Sequence, residues 1–259
     1  MTQIESVTVQ SVDIPLDDPF EIALGTQTTA ENLFVRVETA TGAVGIGEAA
    51  PHAPVTGATR DSAIAQARDL RSLVEDRDSA NYRAIVGDIR HNSPGMVSAA
   101  LAIETAVLDA YCRDRGSALS ELFGGRPNPV ETDITVSLVA PTEARADAER
   151  AAQAGYDTIK VKTGDSVADS VARVAAVRDG HPDCSVIVDA NQGWDPSTTV
   201  RFCDAVEERG IDLALVEQPV PADDLRGLAA VKRQVDPPVA ADEAVFSPHD
   251  ALRVVERDA

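Results

Sequence analysis

The stretch TIKVKTG, residues 158–164, decides how this chain is read. It holds Lys160 and Lys162; one further lysine, Lys232, occurs in 259 residues, and the other 20 of the 23 basic residues are Arg. Apolar Ile159 and Val161 alternate with the two lysines, the period of a strand, so both lysines share one face. The pattern repeats. After residue 130 short apolar segments recur: ETDITVSLV, YDTIKVK, CSVIVDAN, DLALVEQ and PPVAADE. Between them lie PTEARADAERAAQAG, DSVADSVARVAAVRDG, PSTTVRFCDAVEERG and DDLRGLAAVKRQV, with helical spacing, and PHDALRVVERD follows the last. Strands alternating with amphipathic helices predict parallel strands covered by helices. An open doubly wound sheet and a barrel both satisfy this. No G-x-G-x-x-G or P-loop follows any strand, which removes the simplest nucleotide-binding readings.

Upstream the rhythm differs. IESVTVQSVDIP and NLFVRVETATGAVGIGEA alternate like strands, with a polar loop between them and a hairpin turn at ETATGAVG. DSAIAQARDLRSLVE and GMVSAALAIETAVLDAYCRDRG then take helical period. FGGRPNP, residues 123–129, reads as a boundary. The expectation is an α+β domain over 1–125, a three-stranded antiparallel sheet plus helices, and a βα domain over 126–259.

Composition narrows the function. Apolar residues make up 44%, enough for a sizeable core. The net charge of −20, from 43 acids against 23 bases, speaks against nucleic acid. The acids are dispersed, which resembles a surface adapted to high salt. No apolar run reaches the ~20 residues that span a bilayer, so no membrane partner is expected. MTQIESVTVQ lacks a signal-peptide pattern. Cys112, Cys184 and Cys203 lack metal-like spacing and read as buried free thiols in a reducing cytoplasm. His52, His91, His181 and His249 lack partner spacing, and Trp194 is expected to pack the start of the next helix.

Four successive strands end in charge: Lys160 and Lys162, then Asp189, Glu217 and Asp242. The steps from Lys162 are 27, 28 and 25 residues, one βα unit each, so the charges fall at the same ends of neighbouring strands. In βα folds that end carries ligands and chemistry. Three converging carboxylates would resist ionisation without a cation. An oxygen-only donor set favours Mg²⁺, with Mn²⁺ as substitute. Asn191 could support the metal or make a turn. Glu243, next to Asp242, is expected to point to the opposite face of an extended strand and to act from behind the ligands or in a salt bridge. Unlike a guanidinium, an ammonium can lose its proton when burial and nearby positive charge lower its pKa, and the two lysines are expected to depress each other. A neutral Lys162 could then take a proton α to a metal-bound carboxylate, with Lys160 and the metal stabilising the enediolate.

That combination belongs to the enolase superfamily, and the chain resembles its branch with a K-x-K motif on the second barrel strand. IKVKTG, VDANQGW, LVEQPV and AADEAV carry the resemblance across essentially the whole chain. It implies an N-terminal capping domain followed by a (β/α) TIM-type barrel. It makes Asp189, Glu217 and Asp242 Mg²⁺ ligands, Lys162 an acid/base and Lys160 its electrostatic partner. APVTGATRDS (53–62), PFEIALGT (19–26) and ETDITVSL (131–138) resemble dipeptide epimerases of the L-Ala-D/L-Glu type. By that resemblance Thr135 lies near the substrate and FEIALGT forms part of a lid. Muconate cycloisomerases and o-succinylbenzoate synthases share the core and are the alternatives. The expected partners are a small-molecule carboxylate, a dipeptide by this reading, and further copies of the chain in a homo-oligomer.

A complete (β/α)₈ barrel takes about 250 residues, and only about five βα units follow residue 130. By the resemblance, a second acid/base lysine on strand six and a specificity motif on strand eight are wanting. The chain is therefore expected to be an incomplete barrel with epimerisation impaired, being part of a longer chain, a subunit completed by a second chain, or a non-catalytic remnant.

Overall fold

The computed structural model describes residues 2–23, 25–125 and 128–259. Leu24 of the PFEIALGT stretch and Arg126 and Pro127 of the FGGRPNP boundary lie outside the described residues. The chain divides into two compact units: Met1–Asp17 with Thr28–Pro129, and Asp18–Gln27 with Val130–Ala259.

Strands β1 (Ile4–Ile22), β2 (Gly25–Thr39) and β3 (Val44–Ala49) are adjacent in that order and form the sheet of the first unit, apart from the parts of β1 and β2 within Asp18–Gln27, which belong to the second. β2 and β3 pair antiparallel from Leu33 opposite Ala49 to Glu38 opposite Val44. Strand structure runs through the segment expected to be a polar loop. β1 is an edge strand, where Pro15 and Pro19 are tolerated because the missing N–H groups need not face a partner strand. Helices α1 (Ala53–Thr56), α2 (Arg60–Leu70), α3 (Tyr82–Asn92), α4 (Val97–Asp114) and α5 (Leu119–Leu122) follow. Leu33, Val35 and Val37 from β2 pack with Ile85, Ile89, Ile103 and Val107 in one core, each such burial being worth ~1.5–3 kcal/mol. β3 meets α4 at backbone range. A Cβ at Gly45 or Gly47 would collide with the main chain of Ala102, Ala106 and Ala110, so glycine there permits the contact.

The second unit contains five parallel strands, β4 (Ile134–Val136), β5 (Thr158–Lys162), β6 (Ser185–Asp189), β7 (Leu215–Glu217) and β8 (Val239–Ala240), in sequence order. Helices α6 (Pro141–Ala154), α7 (Val167–Gly180), α8 (Pro196–Glu207), α9 (Leu225–Lys232) and α10 (Pro248–Glu256) alternate with them. Pro141, Pro196 and Pro248 open three of these helices, and Ser166, Asp195 and Ser247 cap theirs by accepting from the third helical amide. Register sorts the side chains by face. Val136, Ile159, Val161, Val186, Val188 and Val216 lie on one face, buried in a core with α6, α7 and α8. The other face carries Thr135, Lys160, Lys162, Asp189 and Glu217. Among the described residues no helix is long and apolar enough to cross a membrane. The three cysteines are free and buried; burial pushes the Cys203 thiol up to about 12.

Candidate active site

The ladder sets the site row by row. Thr135 lies opposite Lys160, and two residues further on Lys162 lies opposite Asp189, which lies opposite Glu217. Lys162 Nζ donates to Asp189 Oδ2 at 2.7 Å and to Asn191 Oδ1 at 2.9 Å. Lys160 Nζ reaches Glu217 Oε1 at 2.7 Å and Asp189 Oδ2 at 2.9 Å. Two ammoniums thus share two carboxylates inside the protein, with Asp189 fully buried.

The charge balance explains the titration. Burial opposes the Lys160 charge, but the hydrogen bond to Glu217 and the charge of Asp189 outweigh it and hold its pKa above the ordinary lysine value. Sequence alone had the lysines depressing each other; the adjacent carboxylates reverse that for Lys160. Burial is the largest cause of a raised Glu217 pKa, with the charges of Asp189 and Asp242 adding to it and the hydrogen bond and charge of Lys160 opposing it. Burial also works against ionised Asp189, yet the charges and hydrogen bonds of Lys162 and Lys160 hold its pKa low.

Past β8 the chain bends rather than staying extended, with Val245 N donating to Asp242 O. This changes the expected place of Glu243. Instead of facing away, it is buried and accepts from Asn191 Nδ2 at 3.0 Å. Asp242 is exposed, and its charge raises the pKa of Glu217 and Glu243, burial being the larger cause for each. Asn191 turns, with φ of 40°, and its side chain also links Lys162 to Glu243. Of the two alternatives for Asn191 the turn is the one seen, with its side chain bridging Lys162 and Glu243.

The loops after β5 and β6 interlock. A Cβ at Gly193 would collide with the main chain of Gly164, and one at Gly164 with Ala190 O. The glycines of IKVKTG and VDANQGW thus let the two loops touch. Trp194 donates from Nε1 to Asp165 O at 2.8 Å and packs on Phe202 of α8. The buried Arg173 ties this loop to the lysine strand, donating to Lys162 O, Val139 O and Asp165 Oδ2. From the outer end of β1, Phe20 places its ring 5.7 Å from Lys162 Nζ, and Leu138 N donates to Glu21 O. APVTGATRDS forms α1 and the start of α2 in the first unit, with Gly57 left-handed at the turn.

Among the described residues no group of three His, Cys, Asp or Glu side chains is arranged to hold a metal as it stands; the ammoniums of Lys160 and Lys162 hold Asp189 and Glu217 instead. The donor chemistry nevertheless suits a hard dication. Asp189 and Glu217 are neighbours in register, Asp242 follows two residues after Ala240, the partner of Glu217, and the buried Glu243 Oε2 has no hydrogen-bond partner. Arg173, Asp165 and Gln218 escaped the sequence reading, although Gln218 stands in LVEQPV beside Glu217.

An α+β unit followed by βα units with lysines and acids at consecutive strand ends defines an enolase-type enzyme. The chain belongs to the mandelate racemase/muconate lactonizing enzyme family: that family's N-terminal domain matches residues 4–124, and the enolase C-terminal domain-like family matches residues 143–259. It has that family's two-domain fold, an N-terminal capping domain and a C-terminal α/β barrel domain. It is 38% identical over 257 residues to an L-Ala-D/L-Glu epimerase of Bacillus subtilis, covering 98% of this chain and 70% of that protein. The substrate-liganded structure of the B. subtilis L-Ala-D/L-Glu epimerase superposes with a TM-score of 0.95 at 38% identity, covering 99% of this chain and 72% of that one. A dipeptide epimerase from Enterococcus faecalis, solved with Mg and L-Leu-L-Tyr, gives 0.94 at 33% identity, covering 99% and 72%. The chain thus spans about seven tenths of the length of these relatives.

Proposed function

We propose that the chain is an isomerase of the dipeptide-epimerase type, acting on the proton α to a carboxylate of a dipeptide such as L-Ala-L-Glu. The observation that carries this reading is the in-register pair Lys162–Asp189 beside Lys160–Glu217 on one sheet face. Dipeptide epimerases among its relatives support the choice of substrate class. Asp189, Glu217 and Asp242 would hold Mg²⁺, or Mn²⁺ in its place, and a dication there supplies stabilisation of negative charge developing on the substrate carboxylate. Lys162 Nζ moves the α-proton. Lys160 stays charged and stabilises the developing anion from the same face. Asn191 orients Lys162 by its 2.9 Å contact. Phe20, whose ring lies near the ammonium, excludes water from it. Thr135, opposite Lys160, lies where it can meet the substrate. In this reading the five βα units are the part of a (β/α) barrel that holds the acids and the lysine pair, the capping domain spans 1–125 and the barrel domain 126–259. The protein works as a cytoplasmic homo-oligomer.

The test is a panel of L,L-dipeptides incubated with the chain and Mg²⁺ in D₂O, each α-proton followed by NMR. Selective loss of one α-proton signal in an Ala-Glu or apolar dipeptide is expected. Exchange in no dipeptide, alongside turnover of a cycloisomerase or o-succinylbenzoate synthase substrate, would overturn the assignment.

A further inference from the structure

Gln218 is fully buried directly after Glu217 and has a backbone φ of 33°. Non-glycine residues seldom adopt this region, so the contacts around Gln218 must hold it there. Its amide is engaged at both ends. Oε1 accepts from Asp242 N at 2.8 Å and from Ala244 N at 3.1 Å, and Nε2 donates to Val220 O at 3.0 Å. Its own backbone N donates to Ala240 O at 2.9 Å, and its O accepts from Gln192 N at 2.8 Å.

The reason lies in the shortness of β8. Its ladder with β7 stops where Glu217 meets Ala240, two residues before Asp242. Past that point the sheet no longer fixes the chain that bears Asp242. The Gln218 side chain takes over, grasping the amides on both sides of Glu243. A carboxamide suits this place because two amide donors and one carbonyl acceptor must be met by one side chain. We infer that Gln218 is a positioning residue: it sets the Asp242 turn against Glu217 and so preorganises the third ligand for the dication. This rests on the reading of Asp242 as a ligand.

Gln218→Met keeps the length and removes the three hydrogen bonds. Mn²⁺ alone is the probe: free Mn²⁺ is read by electron paramagnetic resonance against the 259-residue chain, with Mg²⁺ in competition. The wild type is expected to bind, and Gln218→Met to bind about 10- to 100-fold more weakly, as for other residues that orient metal ligands. In the metal-free variant the Asp242 and Ala244 amides are expected to exchange faster while the ladder amides of β5 and β6 keep their protection. A merely structural role would not confine the change to those two amides. Equal Mn²⁺ affinity in a folded variant overturns the inference and leaves the metal site standing. A wild type that does not bind Mn²⁺ overturns both. Should Gln218→Met fail to fold, the wild type decides: Mg²⁺ must slow exchange at Asp242 and Ala244, and unchanged exchange overturns the inference.

Discussion

Lys162 stands beside Asp189 across the β5–β6 ladder, its Nζ 2.7 Å from Oδ2. The carboxylate that would hold a cation is thereby also the partner of the proposed base. In the proposed reading, ammonium and dication would compete for one buried oxygen. Binding of the cation would draw Asp189 away from Lys162 and leave Asn191 as the lysine's hydrogen-bond partner.

Mg²⁺ bound to the folded chain and not to the unfolded one is expected to stabilise the fold. At a concentration 100 times its dissociation constant the gain is ~2.7 kcal/mol, or roughly 5–10 °C in melting temperature for a chain of this size. Thermal melts with and without Mg²⁺ read it directly. Asp189→Ala is expected to abolish the shift, and a shift that survives would place the metal elsewhere.

Asp165 and Arg173 give a pH signature. Burial works against the Asp165 charge, but the Arg173 and Ser170 hydrogen bonds outweigh it and hold its pKa below the ordinary value. A folded-state pKa that is depressed stabilises the fold above the unfolded value, and the gain is lost as pH falls through the folded one. Arg173 is 5% exposed and Asp165 31%. Asp165→Asn is expected to cost about 1.5 kcal/mol at pH 7, the lower end for a hydrogen bond to a charged group, because Asp165 is only partly buried. The difference from wild type should shrink below about pH 4. Denaturant melts across pH 3–7 measure both.

Gly193→Ala would force a Cβ into the main chain of Gly164. The expected cost is ~1–3 kcal/mol, since overpacking against backbone is not relieved by side-chain rotation. The same variant should slow proton exchange, because the displaced loop follows directly on Lys162. Denaturant melts and the exchange rate measured together would show whether the two losses run in parallel.

The acidic surface predicts salt dependence. With a net charge of −20, self-repulsion falls as ions screen it. Melting in dilute buffer and in molar KCl should show a clear rise with salt. Indifference to KCl would remove the reading of a high-salt surface.

Much of the site was legible because strand period and unit length are arithmetic. Alternation put Lys160 and Lys162 on one face, and steps of 27 and 28 residues put Asp189 and Glu217 in register with Lys162, whereas Asp242, a further 25 residues on, falls in the turn two residues past β8. What escaped depends on contacts between segments distant in sequence. The rise in the Lys160 pKa comes from acids 29 and 57 residues away. The inward turn of Glu243 comes from a bend that no local period announces. Phe20 reaches Lys162 from the far end of the first strand, where the sequence reads as a polar loop. Gln218 and Arg173 look like ordinary polar residues until their partners are in place.

The most direct test of the central claim is the exchange of the glutamyl α-proton of L-Ala-L-Glu in D₂O with Mg²⁺, comparing the wild-type chain with Lys162→Ala. The account predicts measurable exchange by the wild type and a loss of at least about 100-fold in the variant, the low end for removing a positioned acid/base. Exchange at an unchanged rate in Lys162→Ala would contradict it, because the proton would then be moved by another group.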